Sequence, residues 1–267
     1  MSAPYHPDPV PTTGTFDALP SPILVRGLSI VLPAHDEVET LADVARQALR
    51  VGSQCADALE VVIVDDGSRD GTAEVAADLA RMDARVRVVT HPLNQGYGAA
   101  LRSGFERAQH EWIFYTDSDG QFDLEELPRL LALLGRYDVV TGYRAARRDG
   151  RLRSAFGTAF SAAVNHLLGV HVRDVNCAFK VYPKRLFDGL DLQANGALID
   201  AEMLAAARGA GLRVGELAVT HRPRVAGEQS GARIDVIARA ILEFATLALR
   251  QSSARRREAG ALATPLR

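Results

Sequence analysis

The feature that most constrains this chain is an alternation. Between Leu28 and Arg144, apolar runs take turns with segments whose apolar residues recur at helical spacing. "LSIVLPA" (28–34), "LEVVIVDDGS" (59–68), "VRVVTH" (86–91), "EWIFYTD" (111–117) and "YDVVTGYR" (137–144) read as five strands. "VETLADVARQALR", "DGTAEVAADLARM", "GYGAALRSGFERAQ" and "LEELPRLLALL" read as the helices between them. Strand–helix alternation of this kind predicts an α/β fold, a mostly parallel, Rossmann-like sheet with helices on both faces. In such sheets ligands bind outside the C-terminal ends of the strands.

Those ends are acidic. The first strand runs into His35, Asp36 and Glu37, the second into Asp65 and Asp66, and the fourth into Asp117 and Asp119. Aspartate is an ordinary turn residue, and each end alone reads as a turn. Three of them on one sheet edge form a constellation. In extended backbone, residues 117 and 119 point the same way. A carboxylate pair so placed suits Mg2+ or Mn2+, hard ions that take oxygen ligands together with substrate phosphates. Gln121 adds a neutral oxygen, so Asp117, Asp119 and Gln121 are the candidate metal ligands. Ser118 and Gly120 shape the turn, and Asp123 caps the next helix. Asp70 and Gly71 serve the turn before the second helix. Gly96-x-Gly98 lacks the third glycine of a dinucleotide fingerprint.

After Arg144 the pattern changes. An arginine-rich loop with Arg147, Arg148, Arg151 and Arg153 leads to a helix, "SAFGTAFSAAVNHLLG". A segment of mixed character follows, "VHVRDVNCAFKVYPKRLF", then a helix, "LIDAEMLAAARGAG", and a last strand, "LRVGELAVTH". The predicted organisation is a disordered tail over 1–26 and one domain over 27–232, in halves 27–144 and 145–232. An amphipathic helix over 233–251 and a flexible basic tail over 252–267 complete it. That helix either lies on an anionic membrane surface or docks on the core.

Bulk properties exclude several classes. A net charge of -2 argues against nucleic acid as a partner. Two cysteines are too few for a disulfide framework and form no CxxC pair. The N-terminus lacks the basic and apolar regions of a signal peptide. No run approaches the roughly 18 apolar residues of a membrane span. A cytoplasmic chain, at most peripheral on the cytoplasmic membrane face, is the expectation.

"SIVLPAHDE", "VVIVDDGSRDGT", "NQGYGAALRSG", "FYTDSDGQFD" and "VVTGYR" come in an order and spacing that resembles family 2 glycosyltransferases, which have the GT-A fold. The closer resemblance is to the dolichol-phosphate mannose synthase and polyprenyl-phosphate glycosyltransferase branch, and it covers about Leu28 to Ala232. It implies a metal-assisted, inverting transfer of hexose from a GDP- or UDP-sugar to a polyprenyl phosphate. By resemblance, Pro33, His35 and Glu37 contact the nucleoside, and Asp65 with Asp66 reads base and ribose. Asp117 and Asp119 with Gln121 hold the metal and donor diphosphate, and Ser118 between them is a further nucleotide-sugar-binding candidate. Arg144 faces phosphate, and Arg224 lies in a loop that closes over the site. "RDVNCAFKVY" resembles a segment beside the acceptor, which makes Asp174 and Lys180 acceptor candidates, or a mutual salt bridge.

Acceptor chemistry stays open at this level. A polyprenyl phosphate is already an anion and needs cations, for which Arg144, Arg151 and Arg153 are candidates, with His221 nearby. A hydroxyl acceptor needs a general base, and Asp200 and Glu202 are the candidates. A non-catalytic nucleotide-sugar-binding protein would show a degraded metal motif. Nucleotidyl transfer would want a basic phosphate loop after the first strand, which is acidic instead. Self-association into a homo-oligomer is also left open.

Overall fold

The computed structural model describes residues 24–144, 161–166 and 168–223. Residues 1–23, the arginine-rich loop with Arg151 and Arg153, the loop residue Arg224 and everything predicted beyond it lie outside the described residues.

Seven strands form one sheet: β1 (Val25–Ala34), β2 (Ala56–Asp65), β3 (Val86–Thr90), β4 (Trp112–Thr116), β5 (Val139–Arg144), β6 (Phe179–Pro183) and β7 (Val214–Val219). Their order across the sheet is β3-β2-β1-β4-β6-β5-β7. The five strands expected from apolar runs are all present. The central strands have apolar middles because both faces of the sheet are covered there: Ile30, Val31 and Leu32 are fully buried, as are Val61 to Val64. Truncating any of these to alanine removes core packing worth roughly 2–5 kcal/mol for an isoleucine or leucine.

The mixed segment resolves into β6, which is antiparallel to both β4 and β5. It is the one reversed strand among the described strands, and it puts Lys180 in the sheet opposite Tyr115.

The flanking helices are α1 (Leu41–Gly52), α2 (Thr72–Met82), α3 (Tyr97–Arg107), α4 (Leu127–Leu131) and α5 (Ile199–Gly209). The single helix expected over "LEELPRLLALL" is instead a 3-10 turn, Leu124–Glu126, followed by the short α4. Pro128 explains the break: it lacks the N–H a continuous helix would need, and it fits a first helical turn. Asp123 caps this turn as anticipated, its side chain accepting from the Glu125 N–H at 3.2 Å. Asp70 likewise accepts from the Thr72 N–H at 3.0 Å and the Val38 N–H at 3.1 Å.

The register aligns the strand ends. Ala34 pairs with Asp65, and Val31 with Tyr115, so Asp65 and Asp117 emerge on the same sheet edge as His35.

Candidate active site

Two loops meet at the ends of β1 and β2. His35, Asp36, Asp65, Ser68, Arg69 and His91 line a cleft of about 450 Å³ between them. The loops are laced together: the Asp36 N–H donates to Ser68 Oγ at 3.0 Å, and the Arg69 N–H to Asp36 Oδ1 at 2.8 Å. Gly67 has φ of +70°, and a Cβ there would lie 2.5 Å from the Leu93 carbonyl carbon. Only glycine lets the third wall, residues 91–94, approach so closely. His35 Nδ1 lies 2.9 Å from the Asp66 carbonyl. A carbonyl only accepts, so that nitrogen carries the proton.

Asp65 and Asp66 diverge. Asp65 lines the cleft, and its carboxylate accepts a 3.2 Å bond from the Ser68 N–H. The Asp66 carboxylate points into the protein. It takes the N–H groups of Gln95 and Gly96 at 2.9 and 2.8 Å, and the His91 ring at 2.7 Å. The two were expected to read base and ribose as a pair. The geometry corrects this: Asp66 fastens the start of α3, with three bonds from the protein on its carboxylate. Glu37 also turns toward structure, accepting from Thr40 Oγ at 3.1 Å, and is absent from the cleft wall. Pro33 and Ser118 contact each other: the buried Ser118 hydroxyl donates to the Pro33 carbonyl at 2.7 Å. That bond pins the acidic turn to β1, so Ser118 shapes the turn and its hydroxyl does not face a ligand.

Asp117 and Asp119 follow β4 on this edge. Protein crowds Asp117, and this desolvation, then the charge on Asp119, pushes its carboxyl up to about 8. Asp119 Oδ1 accepts from the Gln121 N–H at 3.0 Å. Gln121 Nε2 donates to the Arg222 carbonyl at 2.8 Å, leaving its Oε1 as the ligand-capable atom. The Arg222 N–H returns a bond to the Gln121 carbonyl at 2.7 Å, and its guanidinium reaches Asp123 at 2.6 Å. Phe122 and His221 form a bridge with their rings 4.9 Å apart. The end of β7 is thereby anchored beside the acidic turn, and His221 sits there packed on an aromatic ring.

Arg144 ends β5 and faces this edge closely enough to draw the Asp117 carboxyl partly back down. Buried Asp174 aims it, accepting from Arg144 Nε at 2.7 Å and from a terminal nitrogen at 2.9 Å. Lys180 is fully buried. Its Nζ donates to Asp200 Oδ1 and the Cys177 carbonyl at 2.6 Å each, and to the Tyr115 hydroxyl at 2.9 Å. Tyr115 in turn donates to Asp200. The mutual Asp174–Lys180 bridge anticipated from sequence is therefore replaced by two others, Asp174–Arg144 and Asp200–Lys180. Lys180 cannot reach an acceptor, since an ammonium has three donors and all are engaged inside the core.

Asp200 and Glu202 were the candidate bases. Asp200 is 2% exposed and ion-paired. Glu202 accepts the N–H groups of Gln193 and Ala194 at 3.0–3.1 Å, fixing the loop before α5. Glu202→Gln is expected to lower the melting temperature by a few degrees, because a charged acceptor becomes neutral. A turnover loss of a hundredfold at unchanged melting temperature would restore the base assignment.

Tyr97 escaped the sequence reading. It opens α3, and its buried hydroxyl lies beside Asp117. A tyrosine at a helix start carries no pattern signal. Only its position in space reveals it.

Among the described residues, no three His, Cys, Asp or Glu side chains come together in metal-binding geometry. No helix there is long and apolar enough to cross a membrane. The donor set at the acidic turn is thus two carboxylates and an amide oxygen. It still fits a divalent cation: burial and then the charge on Asp119 raise Asp117, and a cation would offset that charge.

Comparison with known proteins follows the same line. Residues 29–190 match the family model described as glycosyl transferase family 2. Glycosyltransferase AglD of Haloferax volcanii is 34% identical over 208 residues, 74% of this chain and 33% of that protein. The undecaprenyl-phosphate 4-deoxy-4-formamido-L-arabinose transferase of Aeromonas hydrophila is 32% identical over 76% of this chain and 62% of its own length. That of Pseudomonas fluorescens is 35% identical over 63% of this chain and 50% of its own. The chain thus spans a third to under two-thirds of these relatives. Glucosyl-3-phosphoglycerate synthase from Mycobacterium tuberculosis, solved with Mn2+, UDP and glucosyl-3-phosphoglycerate, superposes with a TM-score of 0.64 at 23% identity, covering 84% of this chain and 80% of that one. The matched family model runs from within β1 through β6 and includes the acidic edge they carry, and the chain belongs to glycosyl transferase family 2, with the GT-A fold.

Proposed function

We propose that this chain transfers a hexose from a GDP- or UDP-sugar to a polyprenyl phosphate, with inversion, in a single displacement. The observation that carries the choice of acceptor is the engagement of both candidate bases. Asp200 is locked to Lys180 and Tyr115, and Glu202 to backbone amides. An acceptor hydroxyl would need one of them free. A phosphate oxygen is already an anion and needs only to be placed. The names of the relatives, which include undecaprenyl-phosphate transferases, support the same reading.

In this reading the nucleoside enters the cleft between His35, Asp65 and His91, and Asp65 accepts from its polar edge. Asp117 and Asp119, with Gln121, would hold Mg2+ or Mn2+ and thereby the donor diphosphate. The cation would neutralise charge on the departing diphosphate. Arg144, aimed by Asp174, supplies fixed positive charge toward phosphate. Arg151, Arg153 and Arg224, outside the described residues, are further candidates for the acceptor. One acceptor oxygen forms the new bond to the anomeric carbon as the bond to the nucleoside diphosphate breaks. Contact with a membrane surface is proposed only because the acceptor is a lipid.

The test is a screen of GDP- and UDP-sugars with a polyprenyl phosphate and, separately, with hydroxyl acceptors, read by mass spectrometry, with the anomeric configuration of the product read by NMR. A glycosylated polyprenyl phosphate of inverted anomeric configuration is expected. Turnover only with hydroxyl acceptors would overturn the acceptor, and sugar-nucleotide binding without turnover would overturn the activity.

A further inference from the structure

Beneath the acidic turn lies a layer of tyrosines that the proposed chemistry does not use. Tyr97 is its upper member. Its hydroxyl is buried and makes no hydrogen bond of full geometry to the protein, although Asp117 is its neighbour. A buried hydroxyl needs an acceptor, and Asp117 is the one beside it.

Its mounting is rigid. The N–H groups of Gln95 and Gly96, just before it, are clamped by the buried Asp66 carboxylate at 2.9 and 2.8 Å. The N–H of Gly98, just after it, donates to the Asn195 carbonyl at 2.8 Å. Gly98 permits that approach, since a Cβ there would lie 2.2 Å from the Ala194 carbonyl oxygen. Below, Asp200 is held by Lys180 and by Tyr115, the residue two before Asp117 on β4. A side chain fixed on both flanks, with Asp117 as the acceptor beside its hydroxyl, is built to point.

We propose that Tyr97 is a positioning residue: its hydroxyl donates to one oxygen of Asp117 and leaves the other turned outward for a divalent cation. This rests on the assignment of Asp117 as a cation ligand. Residues that orient a ligating carboxylate in this way typically contribute 10–100-fold to metal affinity. Asp66 then has a role at the acidic edge although it touches no ligand there, because it fixes the backbone from which Tyr97 projects.

The test is Mn2+ binding to the full chain, followed by electron paramagnetic resonance of free Mn2+, with and without UDP or GDP. Melting temperature is measured in parallel. Tyr97→Phe is expected to weaken Mn2+ binding about tenfold while the metal-free melting temperature stays within a few degrees. Asp66→Asn, which keeps the side chain's shape but weakens its grip on Gln95 and Gly96, is expected to weaken Mn2+ in the same direction. Unchanged or tighter Mn2+ binding in a folded Tyr97→Phe chain overturns the proposal. If Tyr97→Phe does not fold, the Asp66→Asn titration decides alone, and an unchanged Kd there overturns it. A wild-type chain that binds no Mn2+, with or without nucleotide, would instead overturn the cation assignment itself, and this proposal with it.

Discussion

Lys180→Met lowers the melting temperature by about 10 °C, and most of that loss returns when Asp200→Leu and Tyr115→Phe are added. Lys180 and Asp200 are 0% and 2% exposed, and their charged atoms are 2.6 Å apart. Removing the ammonium alone strands a buried carboxylate, which costs about 3–5 kcal/mol. In a domain of this size each kcal/mol is about 2–4 °C. Taking away the carboxylate and the tyrosine hydroxyl as well leaves only the Cys177 carbonyl without its donor, and replacing a buried ion pair by apolar groups is often neutral. Thermal melts of the single and triple variants check this. The alternative, that Lys180 contacts the acceptor, predicts the reverse: a normal melting temperature in Lys180→Met and a raised KM for polyprenyl phosphate.

That alternative came from reading Lys180 as one would read any lysine in a sequence. The fold was legible wherever one period dominated over several residues. Strands β1 to β5 are apolar runs because both sheet faces are covered, and their acidic ends mark the ligand edge. β6 was not legible. Five residues long and interrupted by a lysine, it presents neither an alternating nor an apolar pattern. The lysine is tolerated because Asp200, on a helix 20 residues later, closes over it. No local pattern reports such a partner.

The site divides along the same line. Residues placed by their strand ends alone, such as Asp65, Asp117 and Asp119, stand on the edge where the edge rule puts them. Residues whose role depends on what folds back onto them were misassigned. Asp66 and Glu202 look like free carboxylates in the sequence, but loops bring amide N–H groups to them. Asp174 and Lys180, six positions apart, look like partners. The sheet sends them to different ones, because β6 runs between β4 and β5 while Asp174 precedes it.

Asp119→Asn lowers turnover by about a hundredfold to a thousandfold and weakens Mn2+ binding, with the fold intact. Groups that stabilise charge developing in a transition state carry effects of that size. The same substitution removes the charge that helps raise Asp117, so the Asp117 carboxyl falls toward its ordinary value. The two effects separate by pH. In the metal-free wild type, Asp117 titrates near 8 when folded and near 4 when unfolded. Between those values folding takes up a proton. Its contribution to stability is full below about pH 4 and is lost as pH rises toward 8. A cation needs the deprotonated form, so wild-type Mn2+ affinity rises with pH, by at most about tenfold per unit, and levels off above 8. In Asp119→Asn the affinity is lower throughout, and its rise levels off at a lower pH. Mn2+ titrations from pH 5.5 to 9 measure both curves. An affinity that is flat with pH in the wild type would mean that Asp117 does not hold the cation, and the chemistry would have to be moved away from this edge.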